Sequence, residues 1–293
     1  WAYVKDATDG STSIAEDAAF LDYIIFPAVS SSEPPEDQIN VDHASGWNLV
    51  GLPLTVENNS YLSLFPDAIE GTLYAYTGVY QNETDLEKGS GYWLRFNDTG
   101  MNTITGISFA SVSLSLFEGW NLISGTSSMS GIVDPDGIII PGTLYGYDDG
   151  YFSANMLESG SGYWVRTSAS GMITVSSETA RIGGSDDLTG GMGSIEFSNN
   201  SGKSMLIYCG DLPEDKLLSL SLPPVPPAGG FDIRFNGDLK AGNEGSEILI
   251  QSENWPLTIR HRNQHSTIVN QEEWYLVNEL SGEEYRFNEN GTV

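Results

Sequence analysis

The chain has 293 residues, of which 40 are acidic and 12 basic, for a formal net charge of −28. A surface this acidic repels phosphate backbones and anionic lipid, which argues against nucleic-acid binding. With 39 % hydrophobic residues, including 7 Trp, 14 Tyr and 11 Phe, the chain has the apolar mass for folded cores and is unlike a disordered tail. Domains of about 100–150 residues imply two or three folding units. No run of 18 apolar residues occurs, so no membrane insertion is expected. The single cysteine, Cys209, rules out an intramolecular disulfide. Set in the run Met205–Cys209, it reads as a small buried apolar side chain rather than a catalytic thiol.

In chain order, residues 1–30 read as the terminal strands of an upstream jelly-roll-like domain, and the start at Trp1 reads as a portion of something longer. Trp1–Lys5 and Ala18–Pro27 favour sheet, the second stopped by proline. Asp6, Asp9 and Asp17 offer oxygen ligands for a structural calcium, although the 12-residue calcium-loop pattern is unmet and a solvated acidic turn is the simpler reading. Residues 31–45, polar and proline-containing, are expected as a linker.

An internal repeat follows. Gly46-Trp47-Asn48-Leu49-Val50 returns as Gly119-Trp120-Asn121-Leu122-Ile123, offset by 73 residues. Gly71-Thr72-Leu73-Tyr74-Ala75-Tyr76 returns at Gly142–Tyr147, and Gly89-Ser90-Gly91-Tyr92-Trp93-Leu94-Arg95 at Gly160–Arg166, both offset by 71. Three ordered matches at nearly one spacing mark a duplication, with modules expected at 46–118 and 119–182. The pattern inside each copy is β: Val112, Leu114 and Leu116 alternate with serines, and Gly-rich turns punctuate the runs. One short helix is expected over Tyr61–Ala68. The tryptophans of the repeat, Trp47, Trp93, Trp120 and Trp164, read first as core anchors, worth about 3–5 kcal/mol each if fully buried. Sugar-stacking platforms are the second reading and contacts between modules the third.

A Gly-, Ser- and Asp-rich linker is expected at 183–193, followed by an immunoglobulin-like module at 194–293, incomplete at its C-terminus. There Leu218, Leu220 and Leu222 alternate with serines before the stiff run Pro223-Pro224-Val225-Pro226-Pro227. Phe231, Ile233 and Phe235 alternate next, with Arg234 expected on the opposite side. The fold class is therefore all-β, with several small β-sandwich or jelly-roll-like modules in tandem.

Reactive groups form no recognisable constellation. His261 and His265 are four apart but sit in a strand-like context, and Arg262 breaks any zinc-protease motif. No G-x-S-x-G, phosphate-binding loop or dinucleotide fingerprint occurs, and abundant carboxylates make accidental pairs uninformative. No catalytic residue and no cofactor is expected. The ligand-stacking candidates are Trp93, Trp164, Tyr151 and Phe152.

The repeated Gly-Trp-Asn and Gly-Ser-Gly-Tyr-Trp blocks resemble modules of large secreted surface proteins of Bacteroidetes-like bacteria exported by the type IX system. Leu222–Phe235 is similar to the segment that often precedes their C-terminal sorting domain, and the N-terminal stretch resembles jelly-roll adhesin-like domains, including those of cell-surface peptidases. The sorting domain and the peptidase Cys and His have no counterpart here. The resemblance implies an extracellular or cell-surface location. It also implies neighbouring domains of the same larger protein as partners, together with surface glycans or host or matrix proteins. Three functions are expected to compete: a non-catalytic structural or adhesive stalk, a carbohydrate-binding module, and the accessory C-terminal region of a secreted peptidase.

Overall fold

The structure, a computed structural model, describes residues 4–5, 12–13, 35–178, 188–243, 245–262, 275–277, 282 and 284–286. The chain divides into two compact units, Trp1–Pro35 and Glu36–Val293. In the first, β1 (Val4–Lys5) pairs antiparallel with β2 (Thr12–Ser13). The strand expected at Ala18–Pro27 lies outside the described residues.

The second unit is all-β, with several separate small sheets. Its first module contains β3 (Asp37–His43), β4 (Gly46–Gly51), α1 (Tyr61–Leu64), β5 (Tyr74–Tyr76), β6 (Tyr80–Asn82), β7 (Gly91–Phe96) and β8 (Gly100–Gly106). A two-stranded sheet, β3–β8, covers a four-stranded sheet of order β4-β7-β5-β6. Val41, Val50, Phe65, Leu73, Leu94, Phe96 and Ile104 fill the space between. The second module repeats this plan with β9 (Ser111–Leu116), β10 (Gly119–Ser124), β11 (Gly131–Val133), β12 (Tyr145–Tyr147), β13 (Tyr151–Ser153), β14 (Gly162–Thr167) and β15 (Gly171–Ser176). Its sheets run β10-β14-β12-β13 and β11-β15-β9.

These pairings correct the expected boundaries. The supposed linker 31–45 contains β3, whose seven residues all pair with β8. The strand Ser111–Leu116, counted with the first copy, pairs with Gly171–Ser176 of the second. Each module thus begins one strand before its Gly-Trp-Asn block, because the strand after Gly-Tyr-Trp needs an antiparallel partner to cover the core.

The repeated residues have repeated local roles. Gly46 and Gly119 adopt φ of +91° and +97°, conformations closed to most side chains. The adjoining turn is pinned by asparagine: Asn48 accepts from the Ala44 N–H and donates to the Ala44 and Gly46 carbonyls. Asn121 does the same with Phe117 and Gly119. Thr72 and Thr143 bridge equivalent loops to the Arg95 and Arg166 amides.

The central strand of each four-stranded sheet is buried on both faces. In β7, Tyr92, Leu94 and Phe96 point into the module's own core, while Trp93, fully buried, belongs to a different cluster. Tyr163, Val165 and Trp164 in β14 divide likewise. The second cluster is shared by the modules, and the contacts around it are reciprocal, as in a dimer with a two-fold axis. The Gly51 amide donates to the Gly160 carbonyl at 2.9 Å, and the Ser124 amide to the Gly89 carbonyl at 2.8 Å. Equivalent residues meet at the axis itself: a Cβ on Gly51 would collide with Ser124, its counterpart in the second copy.

The third module contains β16 (Gly193–Ser198), β17 (Ser204–Cys209), a 3-10 helix (Glu214–Leu220), β18 (Asp232–Phe235), β19 (Ala241–Gly242), β20 (Ile248–Gln251), β21 (Thr258–Arg262), β22 (Tyr275–Val277) and β23 (Glu284–Arg286). A four-stranded sheet of order β19-β17-β16-β21 is accompanied by the pairs β18–β20 and β22–β23. All pairings are antiparallel except β17 with β19. Two local expectations are overturned. Leu218 and Leu220 lie in the 3-10 helix, not in a strand. Arg234 is not on a wet face of β18: all four residues of that strand are buried.

The shared core makes some glycines far more demanding than others. Gly160 has φ +81°, and a Cβ there would stand 2.6 Å from Val41 Cγ2 of the first module; Gly71 has φ +78° with open space around it. Gly71→Ala is expected to cost about 1–2 kcal/mol, the left-handed backbone penalty alone. Gly160→Ala adds about 1–3 kcal/mol for overpacking. Urea unfolding midpoints of the two variants would separate these terms.

Candidate functional site

The shared core gathers aromatic side chains from both repeats and apolar side chains from the third module. Trp93 packs edge-on against Tyr147 at 4.7 Å, and Trp164 against Tyr76 at 4.8 Å, each ring crossing into the other copy. Trp47 and Trp120 flank them at 6.3 and 6.4 Å, with the Arg95 and Arg166 guanidinium groups each 5.7 Å from a flanking ring centroid. Ile195, Phe197, Met205, Ile207, Phe231, Ile233 and Phe235 of the third module complete the cluster.

Across this aromatic surface runs the proline-rich segment, entered from Ser221 with extended geometry (φ −70°, ψ 145°). A proline supplies a carbonyl but no N–H, so such a segment must find donors. Arg234 donates to the Pro223 carbonyl at 2.8 Å and Tyr151 to Pro224 at 2.6 Å. Tyr80 donates to Val225 at 2.8 Å, and the Trp47 indole to Ala228 at 3.0 Å. Gln251 donates to the Pro226, Pro227 and Gly230 carbonyls. Tyr147 holds both polar groups of Phe231, accepting from its N–H at 2.8 Å and donating to its carbonyl at 3.2 Å. An aromatic groove that reads an extended proline-rich strand is a known recognition mode, here satisfied within one chain. Arg95 closes the rim on Glu253 at 3.0 Å, and Lys203 of the third module reaches Asp148 and Asp149 of the second.

Beneath the segment lies a buried ion pair. Arg234 meets both oxygens of Asp232, with side chains 1 % and 3 % exposed, and also reaches Asp238 at 2.8 Å. Burial pushes the Asp232 carboxyl above its usual range, and the Arg234 guanidinium opposes that shift. Arg234 itself is held firmly protonated: Asp232 and Asp238 outweigh the opposing effect of burial. A pair like this is costly to break from one side, since the surviving charge is left without a partner.

The structure redistributes the expected ligand-stacking residues. Trp93 and Trp164 are fully buried and Tyr151 is 7 % exposed, so none of the three presents a ring face to solvent. They pack between modules because their strands carry a second apolar face. Phe152 alone is open, at 47 % exposure, beside a cleft of about 420 Å³ between the first two modules. Asp6, Asp9 and Asp17, the calcium candidates, lie outside the described residues, as does His265. The backbone of His261 is part of β21, a strand and not a helix. His43 is buried and stacks on Phe96 at 3.7 Å. Cys209 is buried in the shared core, where desolvation pushes its thiol up to about 11, so it stays protonated at neutral pH. Among the described residues, no group of three or more His, Cys, Asp or Glu side chains is placed to hold a metal ion.

Sequence reasoning missed Tyr80, Tyr147, Arg234 and Gln251 as donors to the proline segment. The available signal was the segment itself: a run of proline carbonyls next to tyrosine-rich modules has to be matched by side-chain donors. Compared with known proteins, the chain matches no family model, no curated protein and no solved structure.

Two tyrosines of the core discriminate between satisfied and stranded hydroxyls. Tyr147→Phe strips the Phe231 amide of its partner and is expected to cost about 1–3 kcal/mol. The buried Tyr145 hydroxyl has no partner, so Tyr145→Phe is expected to be neutral or stabilising by up to about 1 kcal/mol in the same urea assay.

Burial raises the hydroxyl pKa values of Tyr80, Tyr145, Tyr147 and Tyr151 above the ordinary value. Because the folded values exceed the unfolded one, their contribution to stability is complete below pH of about 10 and declines as pH rises past it. Each adds a slope of up to about 1.4 kcal/mol per pH unit. Tyrosinate absorbance is expected to show these four ionising only with unfolding, and the Tyr147→Phe variant to have a shallower alkaline slope.

Proposed function

We propose that the chain is a non-catalytic structural region of a secreted, cell-surface protein, acting as a stalk or tether that holds neighbouring domains. The observation that carries this reading is the shared core. The largest aromatic side chains of two duplicated modules are spent on locking three modules together, and a proline-rich segment is hydrogen-bonded residue by residue across the joint. Coupled modules transmit force and fix orientation, which is what a spacer requires; hinged modules would not. The acidic exterior, at net charge −28, keeps such a spacer from self-association. The resemblance of the repeat blocks to modules of secreted bacterial surface proteins supports the location, and attachment to a peptidase would be one instance of the same role.

Two measurements test the reading. Pulling the chain between residues 36 and 262 is expected to unfold the modules in one cooperative event; separate low-force events for each module would overturn it. The same chain is expected to turn over no substrate in peptide and polysaccharide panels. Robust hydrolysis that one local substitution abolishes would identify an enzyme instead.

A further inference from the structure

The cleft beside Phe152 lies between the first two modules and differs from its counterpart in the duplication. Three consecutive residues of β3, Val41 to His43, line it, together with Ala44 just past the strand. Successive strand residues point to opposite faces, so a strand contributing three in a row presents its edge. Among the described residues β3 pairs with β8 alone, which leaves that edge unpaired. The opposite wall belongs to the second module and includes Phe152, Asp148 and Glu158. Asp42, Asp148 and Glu158 are exposed, and no Lys or Arg lines the cleft. Asp148 is met at the rim by Lys203 at 3.1 Å, an ammonium group already drawn to this corner. Behind the β3 wall the His43 ring, 5 % exposed, has both nitrogens without a hydrogen-bond partner.

The residues that close the shared core are repeated: Trp47 and Trp120, Trp93 and Trp164, Tyr76 and Tyr147, Tyr80 and Tyr151. The cleft keeps some repeated residues, Glu158 recurring as Glu87, but others of its lining positions differ. Where this cleft has Asp42, His43, Asp148 and Phe152, the equivalent positions of the other copy hold Ser115, Leu116, Thr77 and Gln81. The small Ala44 at the mouth is replaced by Phe117. This place gathers three carboxylates, Asp42, Asp148 and Glu158, around an open ring, where the equivalent positions of the other copy keep one, Glu87, with Gln81 in place of the ring.

We propose that this cleft docks an extended basic peptide segment of a partner protein. The segment adds to the free edge of β3 through its backbone and seats an arginine or lysine among Asp42, Asp148 and Glu158, over the ring of Phe152. Edge addition supplies backbone hydrogen bonds, and the carboxylates and ring select positive charge. The inference does not depend on the stalk reading, since a spacer and an enzyme accessory region would both use a docking edge.

The test titrates the full chain with an acetylated, amidated hexapeptide of alternating arginine and valine, read by calorimetry, beside a glutamine-for-arginine version. The arginine peptide is expected to bind, and to weaken severalfold when salt rises from about 0.05 to about 0.3 M. Asp42→Ser with Phe152→Gln, which installs residues the other copy already accommodates, is expected to weaken binding by about tenfold or more. Asp67→Ser, the same charge change on an exposed residue outside the cleft, is expected to change it less than about twofold. Of two peptides N-methylated on alternate residues, one is expected to lose binding and the other to keep it, as edge pairing demands. Equal weakening by Asp67→Ser would show a diffuse acidic field and overturn the proposal, as would equal binding of the two methylated peptides or of the glutamine version. Phe152-dependent binding of cello- or chito-oligosaccharides, with no binding of the arginine peptide, would also overturn it and assign the cleft to carbohydrate. Thermal melts of each variant confirm that the fold is retained.

Discussion

A β-sheet that is apolar on both faces needs two partners, and the organisation of residues 36–262 follows from that requirement. In each repeat the strand carrying Gly-Tyr-Trp sends tyrosine and aliphatic side chains into its own small core and sends tryptophan the other way. A module of about 70 residues cannot cover that second face itself and would be marginal alone. Burying Trp93 and Trp164 against the opposite copy removes the exposed patch and adds a core that neither copy contains. The two repeats therefore behave as a dimer on one chain.

Two repeats related by reciprocal contacts still leave an aromatic groove open along one side, and it is the third module that closes it. The closing element is unusual in carrying few donors, being rich in proline. Its carbonyls would be stranded against a purely hydrocarbon wall at about 1–3 kcal/mol each. The tyrosine hydroxyls and the Trp47 indole nitrogen resolve this, because each ring contributes apolar area to the core and a polar tip to the segment. The need for such tips explains why the shared core favours Tyr and Trp over Phe. Trp164 and Tyr145 are exceptions: the indole nitrogen and the hydroxyl are buried without partners, whereas Trp93 donates to Tyr80 at 3.3 Å. The third module covers the two halves of the pseudo-dimer unequally, so residues equivalent by duplication are not equivalent by environment.

Much of the architecture was legible in the residues. The duplication, the β periodicity of Ser111–Leu116 and the turn glycines all follow from pattern, and the all-β fold with them. What pattern could not deliver was the destination of the second apolar face. The unbroken run Tyr92-Trp93-Leu94 signals a strand covered on both sides. It does not say whether the cover is a layer of the same module, a second copy or a ligand, and of the stacking candidates Trp93, Trp164 and Tyr151 are buried and Phe152 is exposed. Arg234 was misplaced for a related reason. Alternation put it on a wet face, but a guanidinium with Asp232 beside it and a proline carbonyl above it can be buried with every donor group occupied. The leucine–serine alternation over Leu218–Leu222 failed because Leu218 and Leu220 are taken up by the 3-10 helix Glu214–Leu220. Only Ser221 and Leu222 follow it, Ser221 extended and the Leu222 N–H donating to the Asp238 carbonyl.

Divergence between the two copies separates what the fold needs from what it merely permits. At the axis, Gly51 faces Ser124, and a serine on both sides would collide; the pair can differ but cannot both be large. That is a constraint two identical chains could meet only with glycine twice, whereas two copies on one chain can differ. The same freedom operates at the clefts. Phe152 lies across Gly146, its partner in the β12–β13 pairing, where the other copy sets Gln81 opposite Ala75, and any Cβ at Gly146 would meet the ring. Glycine and phenylalanine at these two positions are thus coupled: the ring can lie down on the strand only because its neighbour has no side chain. The aromatic positions that lock the common core keep their identity, Trp47, Trp93, Tyr76 and Tyr80 recurring as Trp120, Trp164, Tyr147 and Tyr151. A coupled change of this kind shapes a surface without touching the interface that holds the modules together.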